Sequence, residues 1–274
     1  MTSVIDPKKR IMSDIRKIVK GNYEKDRIYT WFDQQDIYHA RAMLIGPEDT
    51  PYHNGYYFFD IRYPKNYPIS PPQFKYMTLD NAWRANPNLY KDGKVCVSLL
   101  NTWQGPQWTA CHNLGSVLVA VQSLILGVKH PIQNEPGWES ETGNKSRDYN
   151  RLLEYHNLRV AVIKMILDTP YGFECFKTPM IDHFMENRFG FMKYIESIKK
   201  LDKKVFSSRI YSMSYKFNIK NLEEGMNTIY DKYIDAYNKK CSNFENNVND
   251  LNNVNNEDIY QEQTSSSSTS NQEQ

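Results

Sequence analysis

Cysteine is scarce in this sequence and forms no ligand pattern. Its four residues stand far apart, at 96, 111, 175 and 241, with no CxxC or Cys/His spacing. That argues against structural zinc and for reduced thiols in a cytoplasmic setting, the nucleus included. A long apolar run is also missing. The longest, Leu114 to Val128, is broken by Ser116, Gln122 and Ser123 and falls short of the roughly 20 residues that span a bilayer. The opening stretch MTSVIDPKKR has no apolar core of the kind a secretory signal needs, so neither a membrane nor export is expected. Histidine is absent between Ala85 and Gly105; the nearest to Cys96 along the chain is His112.

No single sign of charge dominates. The formal charge is only +2, but residues 241 to 274 hold six acidic residues and no Lys or Arg, which leaves 34 basic against 26 acidic residues, +8, in residues 1 to 240. Lys and Arg are interleaved with Asp and Glu, so a solvated mixed surface is preferred to a nucleic-acid site. At 40% hydrophobic and 24% charged over 274 residues, the chain reads as a soluble globular domain with room for an appendage.

Asp6-Pro7 has the form of a helix cap and first residue, followed at helical spacing by Ile11, Ile15, Ile18 and Val19 and closed by Gly21-Asn22. Short β-type runs follow at Ile28–Phe32, Ile37–Ile45, Tyr56–Tyr63 and Phe74–Met77. The turn formers of GPEDTPYHNG between the second and third predict an antiparallel meander. YPKNYPISPP has four prolines in ten residues and predicts an extended loop at the sheet edge, packed down by Tyr63 and Tyr67. Leu114, Leu118, Val121, Leu124 and Ile125 predict a central helix from Leu114 to Leu126. Further helices are expected at Ser146–Leu167, Ile181–Leu201 and residues 218–240. Strands first and helices after is an α+β order. Beyond Cys241, nine Asn and a Ser/Thr/Gln-rich end predict a disordered acidic tail over residues 241–274.

Cys96 sits in NPNLYKDGKVCVSLLNTWQGPQW. By residue type alone, a cysteine in KVCVSLL reads as a buried, inert thiol. A hydrolase-like pair would need His53, His112 or His130 brought beside it by folding.

The order of features reads differently. GPEDTPYHNGYYFFDIRYPKNYPISPP, then NPNLYKDGKVCVSLL, then WTACHNLGSVLVAVQSLI, then NEPGW resembles the ubiquitin-conjugating (E2) enzyme family in order and spacing over roughly Ile5 to Leu167. GKVCVSLLNTWQGPQW and the later DYNRLLEYHNLRVAVIKMI are most similar to its larger members. The resemblance implies an α+β UBC-like fold: an N-terminal helix, a four-stranded antiparallel meander and C-terminal helices. It places the conjugating domain at residues 1–168 and leaves 169–240 as a helical extension.

For activity, the resemblance implies that Cys96 accepts ubiquitin or a ubiquitin-like protein as a thioester from an activating enzyme and passes it to a substrate lysine, usually with a ligase. ATP belongs to the activating enzyme, so no cofactor of the chain's own and no metal is expected. An inactive ubiquitin-binding or scaffold variant of the same fold is the alternative. Asn88 matches the family asparagine that stabilises the oxyanion or holds the loop, a reading preferred to that of a plain turn asparagine before LYKDG. Glu135 in NEPGW matches an acidic gate, or faces solvent in a turn. Ser98 stands where many relatives carry Asp, and Asn86 where most carry His. Lys8, Lys9 and Arg10 correspond to the face that meets the activating enzyme, or form a solvated face. Ile69, Thr109 and Ala110 lie in the two ligase-docking loops, where Phe and Ser-Pro-Ala are common. Trp103 and Trp108 are expected to pack loops.

Overall fold

The computed structural model describes residues 6–80 and 83–267, with side chains through residue 243. Two compact units divide between Asn227 and Thr228. Among the described residues no helix is long and apolar enough to cross a membrane.

Helix α1, Pro7–Gly21, starts where the cap predicts, with the Asp6 carboxylate accepting from the Lys8 N–H at 3.0 Å. It ends on left-handed Asn22 (φ 48°). Its buried face is Ile11, Asp14 and Ile18; Val19, assigned to that face by spacing, is 71% exposed. Asp14 is buried because Arg10 pairs with it at 3.0 Å and the Tyr67 hydroxyl donates to it, which satisfies an otherwise costly carboxylate.

Strands β1 (Ile28–Phe32), β2 (His39–Ile45), β3 (Tyr56–Arg62) and β4 (Gln73–Tyr76) form one antiparallel sheet in chain order, with Ala42 opposite Phe59 and Phe59 opposite Tyr76. β2 begins two residues later than its apolar pattern suggests. Asp33 and Asp36 accept from the N–H groups of Gln35 (2.8 Å) and Tyr38 (3.0 Å), forming local side-chain turns that compete with the ladder. Between β2 and β3 the backbones close so tightly that a Cβ on Gly46 would lie 1.7 Å from the Tyr52 carbonyl oxygen, so only glycine fits.

β3 is buried along Tyr56–Phe59 because both its faces are covered. Phe58 stacks on Phe173 and Phe176, the Tyr56 hydroxyl reaches the Met180 carbonyl at 3.0 Å, and the Tyr57 hydroxyl donates to Asn157 at 2.7 Å. The proline-rich loop is fastened as expected: Tyr63 and Tyr67 are buried with their rings edge to face at 4.9 Å.

Helix α2, Leu114–Val121, opens on a reciprocal Asn113/Ser116 cap and continues through a wider turn to Leu126. The widened turn rotates the register, so Leu126 enters the core and Leu124, expected there, is 55% exposed. Helix α3, Asn144–His156, likewise passes through wider turns at Asn157–Lys164 into α4, Met165–Leu167. Helix α5 is Lys177–Ile198, starting ahead of the expected Ile181. Pro179 falls in its first turn, where no intrahelical N–H is needed.

A hairpin that the sequence pattern does not announce follows: β5 (Val205–Ser208) and β6 (Met213–Lys216), with Ser208 opposite Met213. Helix α6, Ile219–Ser267, is capped by Asn218 and by Asp202, which accepts from the Ile219 N–H at 2.8 Å. Its backbone continues past Cys241 into the segment expected to be disordered, and residues 268–274 of that segment lie outside the described residues.

Candidate active site

The approach to Cys96 is pinned by isolated bridges Lys75 to Lys94, Asn86 to Leu89 and Leu89 to Val95. Gly93, at φ +92°, turns it, and its carbonyl accepts from the Tyr76 N–H at 2.7 Å. Asn86 is fully buried and its amide is used on both sides. Nδ2 donates to the Tyr52 hydroxyl (2.7 Å) and the Ile125 carbonyl (3.0 Å), and Oδ1 accepts from the Asn88 N–H (2.7 Å). Asn88 in turn grips the cysteine from both ends of one peptide unit's reach. Its carbonyl accepts from the Cys96 N–H at 2.9 Å, and its Nδ2 donates to the Cys96 carbonyl at 2.8 Å.

Cys96 is 1% exposed. Burial pushes its thiol up from the ordinary range, against the opposing pull of the Lys94 ammonium, the Tyr90 phenol and the Arg84 guanidinium; Asp92 adds to the rise. No histidine among the described residues hydrogen-bonds the thiol: His53 lies by Asn54, His112 by Thr109, and His130 bonds Ser146 at 2.9 Å. The Cys/His pair of a hydrolase is therefore not assembled.

Downstream, the Thr102 hydroxyl donates to the Val95 carbonyl (2.9 Å) and accepts from the Val97 N–H (3.0 Å), closing the loop around the cysteine. Ser98, buried at the start of a short helical turn, packs on Gly105, where a Cβ would stand 3.3 Å from the serine Cβ. Trp108 is buried and its indole N–H donates to the Pro68 carbonyl at 2.8 Å, which joins the two loops expected to meet a ligase. Ile69 (77% exposed), Thr109 and Ala110 stand out from those loops, and Lys8 and Lys9 are exposed on α1. Arg10 differs from its neighbours. Its guanidinium is committed to Asp14 and to the carbonyls of Ala110 and His112, so it ties α1 to the second loop.

Glu135 follows a short helical turn, Pro131–Asn134, and is half-buried rather than free in solvent; its Oε2 accepts from the Tyr211 hydroxyl. The Tyr211 ring faces the Arg84 guanidinium at 4.4 Å, and Arg84 lies 3.7 Å from the centroid of Tyr90. Arg84, Tyr90 and Tyr211 were not singled out by spacing or motif. Tyr90 stands within NPNLYKDGKVC, near Cys96 along the chain, whereas nothing in the sequence links Arg84 to Tyr211. Among the described residues no group of His, Cys, Asp and Glu is placed to hold a metal ion.

The arrangement offers a buried thiol on a braced loop, a side-chain amide beside it, and a carboxylate held by Tyr211. Residues 10–158 match the family model of ubiquitin-conjugating enzymes. Ubiquitin-conjugating enzyme E2 Z of Xenopus tropicalis is 39% identical over 179 residues, 65% of this chain and 56% of that protein. The Homo sapiens E2 Z is 41% identical over 159 residues, 57% of this chain and 44% of that protein. The dual E2 ubiquitin-conjugating enzyme/E3 ubiquitin-protein ligase BIRC6 of Homo sapiens is 37% identical over 179 residues, 62% of this chain but 4% of that protein. The chain thus spans about half the length of the E2 Z proteins it matches.

Proposed function

The chain belongs to the ubiquitin-conjugating enzyme family, and from that premise we propose that Cys96 accepts the C-terminal glycine of ubiquitin, or of a ubiquitin-like protein, as a thioester and transfers it to a substrate lysine. The observation that carries this reading is the double grip of Asn88 on the Cys96 backbone, which fixes the position of the thiol. In the first step the Cys96 sulfur attacks the carbonyl carbon of the activating enzyme's thioester. One C–S bond forms, one breaks, and the departing thiol takes the proton. This exchange is nearly balanced, so a thiol held above its ordinary pKa is compatible with it. ATP is consumed by the activating enzyme, and the chain needs no cofactor.

In the second step a lysine of ordinary pKa near 10.4 must lose its proton before it attacks. Glu135 is proposed to receive and orient that ammonium. Buried Ser98 replaces a carboxylate that relatives often carry near the thiol, which leaves Glu135 the more important acid. Asn88 orders the loop through its bond to the Cys96 carbonyl, and its N–H is the group that can turn to the oxyanion, a contact of a kind that contributes about 3 kcal/mol. Lys8 and Lys9 are proposed to meet the activating enzyme, and Ile69, Thr109 and Ala110 a ligase. The reaction is assigned to the cytoplasm and nucleus.

A charging assay tests the reading: ATP, ubiquitin, a panel of activating enzymes, and wild type or Cys96→Ser, read on a non-reducing gel. A thiol-sensitive adduct that turns thiol-resistant in the serine variant is expected. Ubiquitin binding without any adduct would support the inactive scaffold instead.

A further inference from the structure

Tyr211 lies outside the matched residues 10–158, on the hairpin turn between β5 and β6, yet two of its contacts lead to the candidate active site. Its hydroxyl donates to Glu135 Oε2. Its ring covers the Arg84 guanidinium, which also lies 3.7 Å from the Tyr90 centroid, and both Arg84 and Tyr90 favour the thiolate form of Cys96. Arg84 also donates to the Pro87 carbonyl, inside the loop that carries Asn88. The hairpin therefore touches the carboxylate and the thiol's surroundings through one side chain.

The turn is built to deliver that side chain. Tyr211 (φ 57°, ψ 14°) and Ser212 (φ 49°) both take the left-handed conformation, which is unfavourable for residues with a Cβ and persists where surrounding structure enforces it. The β5–β6 ladder supplies the enforcement on one side, and the Tyr149 ring, 6.3 Å away and edge-on, on the other. A turn meant only to reverse the chain would be cheaper with Gly or Asn at these positions.

We propose that Tyr211 is a positioning residue for lysine transfer, holding one oxygen of the Glu135 carboxylate so that the other faces the incoming amine. The proposal rests on the conjugation reading above. In the step concerned, the lysine ammonium gives up a proton toward Glu135 and solvent, its nitrogen forms the C–N bond at the thioester carbonyl, and the C–S bond breaks with its electron pair on Cys96. A free glutamate beside Pro136 and left-handed Gly137 would sample many orientations; a pinned one does not.

The test uses full-length wild type, Tyr211→Phe, Glu135→Gln and the double variant. Each is charged with ubiquitin and then chased with free lysine in single-turnover reactions at several pH values. Tyr211→Phe keeps the ring on Arg84 and drops only the hydroxyl, so its thermal midpoint should stay near wild type. Charging should be unchanged, discharge should fall about tenfold, and the double variant should be no slower than Glu135→Gln. A purely structural tyrosine would slow both steps together. Wild-type discharge in Tyr211→Phe, or losses that multiply in the double variant, would overturn the proposal. Failure of the wild type to charge at all would overturn the conjugation reading, and this one with it.

Discussion

Asn86 donates through Nδ2 to the Tyr52 hydroxyl at 2.7 Å. The same nitrogen reaches the Ile125 carbonyl at 3.0 Å, and the Tyr52 hydroxyl donates to the Ala85 carbonyl at 3.0 Å. The amide thus joins the cysteine loop to the β2–β3 turn and to the end of the central helix. An asparagine can brace this loop because it offers two N–H donors where a neutral imidazole offers one.

Asn86→Ala should therefore remove three buried hydrogen bonds and lower unfolding free energy by about 2–3 kcal/mol. Asn86→His should cost less, about 1 kcal/mol, since one donor and one acceptor survive. Urea unfolding measures both. An alanine variant with the wild-type midpoint would show that the bracing is made elsewhere.

Asn88→Asp removes the donor at nearly constant volume. Without the bond to the Cys96 carbonyl, lysine discharge should fall by about tenfold to a hundredfold. Amide exchange at Cys96, whose N–H donates to the Asn88 carbonyl, should speed up as the loop loosens. Slower discharge with unchanged exchange would assign Asn88 to the oxyanion alone.

The thiol offers a direct chemical check. Burial raises the Cys96 pKa, so alkylation by iodoacetamide should climb to a midpoint above the ordinary thiol value of about 8.5. Tyr90→Phe removes one group that favours the thiolate and should push the midpoint higher still. A midpoint below the ordinary value would mean that Lys94 and Arg84 outweigh desolvation.

Acid stability should follow buried His156 and half-buried His183. Burial holds His156 and His183 each down to about 4, with the Arg159 guanidinium adding to the fall for His156 against the opposing pull of Asp80, and Arg27 adding to it for His183. The unfolded chain binds these protons near pH 6.5 and the folded one only near 4. Their contribution is complete above about pH 6.5 and is lost progressively as pH falls toward about 4. Denaturant midpoints should drop across that window, and His183→Asn should flatten the drop. His183 is the cleaner site, because His156 also lies 4.0 Å from the Asp80 carboxylate. An equally steep drop in the variant would place the titration elsewhere.

What was legible in the sequence was local. The Asp6-Pro7 cap, β1 from Ile28 to Phe32 and the placing of Cys96 between Pro87-Asn88 and Trp103 each follow from neighbours a few residues apart. What was not legible depends on tertiary placement. Val19 fits helical spacing as well as Ile18 does, and only Arg10 and Tyr67 reveal why Asp14 is buried instead. Leu124 is displaced by a wider turn that carries no sequence mark. The β5–β6 hairpin was hidden by four-residue strands and by Tyr211 and Ser212 standing where Gly or Asn would have signalled a turn. The contact between Arg84 and Tyr211 joins segments far apart in the chain, and no local pattern announces it.

Arg10 lies on the basic face of α1, but its guanidinium is half-buried and its bonds point inward. Arg10→Lys keeps the charge and loses the fork that reaches Asp14 and two carbonyls at once. The buried Asp14 carboxylate would then keep only the Tyr67 hydroxyl, so stability should fall by about 2–4 kcal/mol. Thr109, Ala110 and the exposed Cys111 should also lose their anchor, read as faster amide exchange in that loop. Lys9→Ala, on the exposed side of the same helix, should leave both measurements unchanged while slowing charging by the activating enzyme. If Arg10→Lys slowed charging with no change in stability or exchange, Arg10 would belong with Lys8 and Lys9 at the docking surface. If it lowers stability as expected, the basic face proposed to meet the activating enzyme contracts to the two lysines.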